Sequence, residues 1–249
     1  KIFHKYVLGV YSLYERLLEK FPEILFESCS SGGARFDPGM LYYAPQTWTS
    51  DDTDAVERLK IQYGTSYVYP ISSMGAHVSK SPNLQVGRMT PVETRGNVAM
   101  FGTFGYEMDL DLLSENEKEV IVRQVAFVKK HRKLIANGLF YRLKSPFDKN
   151  VASWIIVSDD QTEALAAYYQ ILKIPNGPFR RLSLAGLKED RKYCVNGDKE
   201  HLYYGDELMY VGLMIDDAYL CDNGGDFCSA VFEIEQVWEE KAAGKTVFN

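Results

Sequence analysis

"QTWTSDDTDAVERLKIQYG", from Gln46 to Gly64, passes from a short aromatic run through three crowded aspartates into a helical pattern. Val56, Leu59 and Tyr63 recur at the spacing of one helix face. Asp54 with Glu57 forms the D-x-x-E start, in which a side-chain oxygen takes up an otherwise unpaired backbone N–H. Gly64 fits the C-terminal cap. The stretch therefore reads as strand, acidic junction and helix, one βα unit. A helix start needs only one acid, so Asp51 and Asp52 are surplus. Two readings of them stay open at this level. Carboxylates are favoured at a helix start by the macrodipole, and a close pair of carboxyls can hold one proton near neutral pH, as a general acid must.

The same alternation extends to both sides. Upstream, Val7, Val10, Leu13 and Leu17 predict a helix ended by Pro22, and the apolar run Ile24 to Cys29 predicts a buried strand. Downstream, "SYVYP" (66–70) reads as a strand and "ISSMGAHVSKSPN" (71–83) as a loop. A helix is predicted from Pro91 to Met100 and a strand in "MFGTFGYEMDL" (100–110). Ser114 and Glu117 then form a capping box ahead of a long helix, striped by Ile121, Val125, Val128 and Ile135 and closed at Gly138. Four strands alternating with helices predict parallel βα units. Beyond Gly138 the rhythm changes to strands without helices: "LFYRL", "ASWIIVSDD", "EALAAYYQIL", "FRRLSLAGL", "RKYCV", "ELMYVGLMI" and "FCSAVFEIEQV", separated by turn residues such as "NGD", "YGD" and "DNGG". That is the signature of an antiparallel sheet or sandwich. Two units are expected, 1–138 and 139–249, with the boundary between Asn137 and Phe140.

Four βα units are an awkward object, because a four-stranded parallel half-sheet leaves an open edge and an uncovered apolar face. A (β/α)8 barrel takes about 250 residues, whereas the βα portion here ends near residue 138. A small doubly wound sheet, complete in itself, is the competing reading.

A net charge of -6 and the lack of a basic stripe exclude a phosphate-tracking nucleic-acid binder. No apolar run approaches the roughly 20 residues that span a bilayer, and no signal peptide is visible, so no membrane partner is expected. Cys29, Cys194, Cys221 and Cys228 show no disulfide framework and no C-x-x-C zinc spacing; Cys221 and Cys228, flanking "DNGGDF", are the pair placed to bridge. The cytoplasm is the default location.

Parallel βα folds carry their chemistry at the C-terminal ends of strands. One such end is "FESCSSGG", where Glu27, Cys29 and the small residues Ser30 to Gly33 make either a cradle for a polar ligand or a tight turn beside a buried thiol. The acidic junction is the other. "GTFGYE" lacks the spacing of a phosphate loop, and Ser30 and Ser31 do not sit in G-x-S-x-G. His4, His77, His131 and His201 show no metal-ligand spacing. His77, in the loop after a strand, is a candidate for substrate contact, and His131 a surface or packing residue.

"CSSGGARFDPGMLYYAPQTWTSDDTDAVERLKIQYGTS", with "SSMGAHVS", "TRGNVAMFGTFGYEMDL" and "GDELMYVGLMI", resembles glycoside hydrolase family 36, the bacterial-type α-galactosidases. The resemblance covers nearly the whole chain. It implies a (β/α)8 TIM barrel between an N-terminal β-rich domain and a C-terminal antiparallel β-sandwich domain, with the four strands above as barrel strands five to eight and the opening helix as the fourth barrel helix. It implies retaining hydrolysis of terminal α-galactosyl groups of melibiose and raffinose-type oligosaccharides, with no metal or organic cofactor, by a homo-oligomer, often a tetramer. The family's acid/base aspartate lies in S-D-[DN]-T-D, which spans Ser50 to Asp54 here. It is carried over to Asp51, because the family tolerates Asn at the next position, with Asp52 as the fallback and otherwise a supporting, substrate-binding residue. Cys29 and Gly32 match the "CSxGG" element that lines the galactose subsite, and Trp48 matches an aromatic beside it.

The family's nucleophile sits in a K-W-D-M-N-R type motif at the end of the fourth strand, and this sequence contains no such motif. The expectation is that the N-terminal portion of the same enzyme carries it, upstream of Lys1, and that this chain alone does not turn over substrate. The same scaffold also serves galactosyltransferases of the raffinose-synthase kind and α-N-acetylgalactosaminidases. A non-catalytic carbohydrate-binding component is the alternative from outside the enzymes.

Overall fold

The parallel part begins with α1 (Ile2–Lys20), which stops at Phe21 one residue before Pro22. The structure is a computed structural model and describes residues 1–29, 31, 36–148, 150–221 and 224–238. After α1 come β1 (Glu27–Ser28), α2 (Pro38–Tyr43), β2 (Gln46–Thr47), α3 (Ala55–Thr65), β3 (Gly75–Ser79), α4 (Val92–Ala99), β4 (Thr103–Glu107) and α5 (Glu115–Asn137). β1 pairs with β2 and β3 with β4, both parallel, and a parallel bridge between Thr47 and Met74 joins the two pairs. The strands thus lie side by side in chain order. Ala76 and Val78 of β3 share one face with Phe104 and Tyr106 of β4 and pack there against Ala99 of α4. By the alternation of a strand, the residues between them point to the opposite side.

Several expectations about this part need correction. The run from Ile24 to Cys29 is strand only at Glu27–Ser28, and Ile24 and Leu25 are exposed rather than buried. "SYVYP" is a turn: α3 runs on through Gly64 to Thr65, and the N–H groups of Val68 and Tyr69 both bond back to the Thr65 carbonyl. Gly64 is therefore helical and Ser66 is the cap. The third strand is Gly75–Ser79, inside the stretch read as a loop. Its small residues give a weak local β signal, and it is strand because β4 pairs with it along its whole length. In α5 the capping box of Ser114 and Glu117 forms as expected. Its buried stripe is Val120, Gln124, His131, Leu134 and Ile135; of the predicted residues Ile135 is buried and Val128 packs against the core, while Ile121 and Val125 are half-buried.

After Gly138 the chain builds β5 (Leu139–Lys144), β6 (Val151–Val157), β7 (Glu163–Gln170), β8 (Arg180–Leu182), β9 (Lys192–Val195), β10 (Asp198–Tyr204), β11 (Leu213–Ile215) and β12 (Cys228–Gln236). Six of these form one antiparallel sheet in the order β10-β9-β12-β7-β6-β5, while β8 and β11 pair separately. β10 was not anticipated. Asn196 and Gly197, with φ of 52° and 74°, turn β9 back into it, and its mostly exposed side chains show no apolar alternation. "ELMYVGLMI" is a strand only at its end, because Glu207–Val211 forms a turn of π-helix before β11.

Both faces of the six-stranded sheet are buried. Trp154, Ile156, Leu165, Ala167 and Tyr169 pack against Leu59, Met74, Phe101 and Leu134 of the parallel part. On the other face Ile155, Ala166, Tyr168, Phe232 and Ile234 pack against Leu182, Leu184, Leu213 and Ile215. "ASWIIV" and "ALAAYY" therefore read as unbroken apolar runs, their alternate residues feeding two cores.

Candidate active site

The face of the parallel strands away from that packing is lined by polar and aromatic groups. Glu27 and Gln46, partners in the β1–β2 register, are joined by a side-chain hydrogen bond. Trp48, one residue past β2, stacks on the His77 ring at 4.6 Å between centroids and 26° between planes. His77 Nδ1 lies 3.2 Å from a Glu107 carboxylate oxygen. Gly75 keeps this face open, since a Cβ there would come within 3.0 Å of the Trp48 ring. Beyond the stack, the Arg58 guanidinium sits 4.9 Å from the Trp48 ring centroid and donates to the Gly75 carbonyl at 2.6 Å. Arg58 is buried, and desolvation pushes its guanidinium down to about 10, against the opposing pull of the Asp52 carboxylate. The indole is thus held between a planar cation and an imidazole.

The acidic junction follows directly. The buried Asp54 is the N-cap of α3: one of its carboxylate oxygens accepts from the N–H groups of Val56 at 3.1 Å and Glu57 at 3.0 Å, and it also pairs with Arg88. Asp52 accepts from the Asp54 N–H at 3.0 Å and faces Arg58. Asp51 is the exposed member of the three. Its backbone is fixed, because Gln85 Nε2 donates to the Asp51 carbonyl at 2.9 Å while Gln85 Oε1 accepts from the Thr53 N–H at 3.0 Å. Ser79 Oγ, at the end of β3, donates to the Thr53 carbonyl at 2.7 Å. A carboxylate held on a clamped loop at the C-terminal end of a parallel strand, three residues beyond Trp48, is suited to proton transfer at a substrate bound beside that loop.

The expected site residues fall as follows. Asp51, Asp52 and Trp48 are neighbours in one strand-to-helix connection. Cys29 follows β1 and stands beside Trp48 in the parallel register; it is an exposed thiol, not the buried one of the tight-turn reading. Gly32 lies outside the described residues. His77 is in strand β3 rather than in a loop, and His131 is buried against Phe127, with its Nε2 3.1 Å from Glu233. Sequence reasoning missed Arg58, Gln85, Arg88 and Glu107. Arg58 had a signal, being a charge on the buried stripe of a helix. Gln85 had none, since its partners lie 32 and 34 residues away.

Among the described residues no group of three or more His, Cys, Asp or Glu is arranged to hold a metal ion, and no helix is long and apolar enough to cross a membrane. A family model described as Melibiase matches residues 1–138, and one described as the glycosyl hydrolase family 36 C-terminal domain matches residues 151–234. Alpha-galactosidase AgaA of Geobacillus stearothermophilus is 54% identical over 234 residues, 94% of this chain and 31% of that protein. The crystal structure of an AgaA variant in complex with raffinose matches with a TM-score of 0.89 at 52% identity, over 94% of this chain and 32% of that one. A second variant, in complex with stachyose, matches with a TM-score of 0.88 at 53% identity and the same coverage. The chain spans about a third of the length of these relatives.

Proposed function

The chain belongs to glycoside hydrolase family 36, and on that premise we propose that it is the acid/base-bearing part of a retaining α-galactosidase acting on raffinose-type oligosaccharides. The observation that carries this reading is the exposed Asp51 on its Gln85-clamped loop, three residues beyond the Trp48–His77 stack. Residues 1–138 supply strands five to eight of the barrel, and residues 139–249 an antiparallel β-sandwich domain against its outer side. The face with Trp48, His77 and Glu107 then looks into the barrel. Trp48, Cys29 and Gly32 line the galactose subsite, Asp52 keeps Arg58 and the loop in place, and a carboxylate nucleophile comes from a segment outside these residues. The four thiols suit a reducing compartment such as the cytoplasm.

In the first step the nucleophile attacks the anomeric carbon while Asp51 gives its proton to the departing glycosidic oxygen, leaving a galactosyl ester on the enzyme. Asp51, now ionised, takes a proton from the water that opens the ester, and the configuration is retained. This scheme places the two carboxyls about 5–5.5 Å apart. The test is Asp51→Asn in the full-length enzyme that contains this chain. Activity on raffinose should fall about 10²–10⁴-fold. Aryl galactosides with good leaving groups should lose much less in the first step, which they complete without acid help. Equal loss on both substrates would remove Asp51 from the role.

A further inference from the structure

Far along the chain from the acidic junction, at the end of the six-stranded sheet where β9 begins and β12 ends, two aromatic rings stand in solvent. Trp238 is 70% exposed and Tyr204 is 47% exposed. They line a pocket of about 250 Å³ together with Asp190, Arg191, Lys192 and Gln236. The pocket is built on paired backbone: Tyr204 stands opposite Lys192 in the β9–β10 register, and the Val237 N–H donates to the Lys192 carbonyl at 2.9 Å. Its polar groups are held in place. Arg191 Nη1 donates to Gln236 Oε1 at 2.9 Å and to the Asp160 carbonyl at 2.9 Å, which engages the Gln236 oxygen, so that its amide N–H₂ can act only as a donor, and leaves the guanidinium further N–H groups. The Lys192 ammonium lies 5.4 Å from the Tyr204 ring centroid.

Exposed aromatic rings beside fixed donors and a carboxylate match the chemistry of a sugar ring. A pyranose offers an apolar C–H face that packs on an aromatic ring and a hydroxyl edge that both donates and accepts. Asp190 accepts, while Arg191 and Gln236 donate. The volume lies below the roughly 300 Å³ at which pockets for drug-sized ligands begin, so one ring fits and a whole oligosaccharide does not. The geometry points to a second, non-catalytic carbohydrate-binding site, which takes the terminal hexopyranose of an oligosaccharide and keeps the rest of the chain in solvent. The choice of galactoside as ligand rests on the function proposed above; the position of the site does not.

The experiment is calorimetric titration of stachyose into the full-length Asp51→Asn enzyme, which should bind without rapid turnover. Two sites per chain are expected, a tighter one in the barrel and a weaker one at Trp238. Adding Trp238→Ala should remove the weaker site or weaken it at least about tenfold, and Trp238→Phe should restore most of it. Because Trp238 is exposed, neither change is expected to unfold the protein. One site per chain in both Asp51→Asn and its Trp238→Ala derivative would overturn the proposal. So would a change in sedimentation on Trp238→Ala with unchanged sugar stoichiometry, which would make this face a protein contact. Loss of the tighter site alone, with the weaker one intact, would count against the galactosidase reading and leave this site standing.

Discussion

Asp54 and Asp51 sit three residues apart and face opposite demands. Asp54 is buried and one of its carboxylate oxygens holds two helix N–H groups and Arg88, so its role is to hold α3 and the junction together. Replacing it with Ala should cost about 1–3 kcal/mol, the sum of a lost cap and an Arg88 left to find water. Asp54→Asn keeps a capping oxygen and should lose less, which urea unfolding midpoints will show. Equal losses would mean that the charge pair, not the cap, carries the effect. Asp51 is exposed, so Asp51→Asn should leave the midpoint unchanged while activity falls. The division of labour was partly legible: D-x-x-E marks Asp54 as the cap from local spacing alone. That Gln85 clamps the loop and that Trp48 lies between Arg58 and His77 was not legible, because those partners come from other βα units.

The helix α5 and the strand β12 are joined by a charged cluster at their crossing. Glu233 Oε2 accepts from Lys130 Nζ at 2.6 Å, and its other oxygen lies 3.1 Å from His131 Nε2. Burial works to raise the Glu233 pKa, but the bonds from Lys130 and His131 outweigh it and hold the carboxyl below its ordinary 4.5. A depressed carboxyl stabilises the fold above its unfolded pKa and loses that contribution as pH falls through the folded value. Glu233→Gln should therefore lower stability by about 1 kcal/mol near neutral pH. Below about pH 4.5 its acid limb should be shallower than the parent's. Parallel stability–pH curves for the two proteins would contradict this account. At this scale the sequence was read well where an element makes its own signal, as in the Ser114 capping box and the Asn196-Gly197 turn. It was misread in "SYVYP", where apolar, β-prone residues have no strand beside them: Tyr67 and Val68 stand 63% and 72% exposed.

Across the whole molecule, the six-stranded sheet is the wall shared by two cores. Trp154 is 1% exposed at the centre of the face toward the parallel part, packed on Phe101, Phe140 and Tyr169. Trp154→Ala should cost about 3–5 kcal/mol. Because Ile155 and Ile156, its neighbours in β6, feed opposite cores, the loss should shift one cooperative transition. Two separated thermal transitions in either protein would show that the cores fold independently. The sequence by itself determined the four longer helices of the first 138 residues, the change to strands after Gly138, and the motif that marks the acidic junction. All three are local, written in helical or strand periodicity, caps and turns within a few residues. The tertiary structure alone decided that β3 is a strand, that β6 and β7 divide their apolar residues between two cores, and that Trp48, His77 and Glu107 come together with Arg58 behind Trp48. Each of these depends on contacts between residues far apart in the chain, whose energy appears only when the strands are laid side by side.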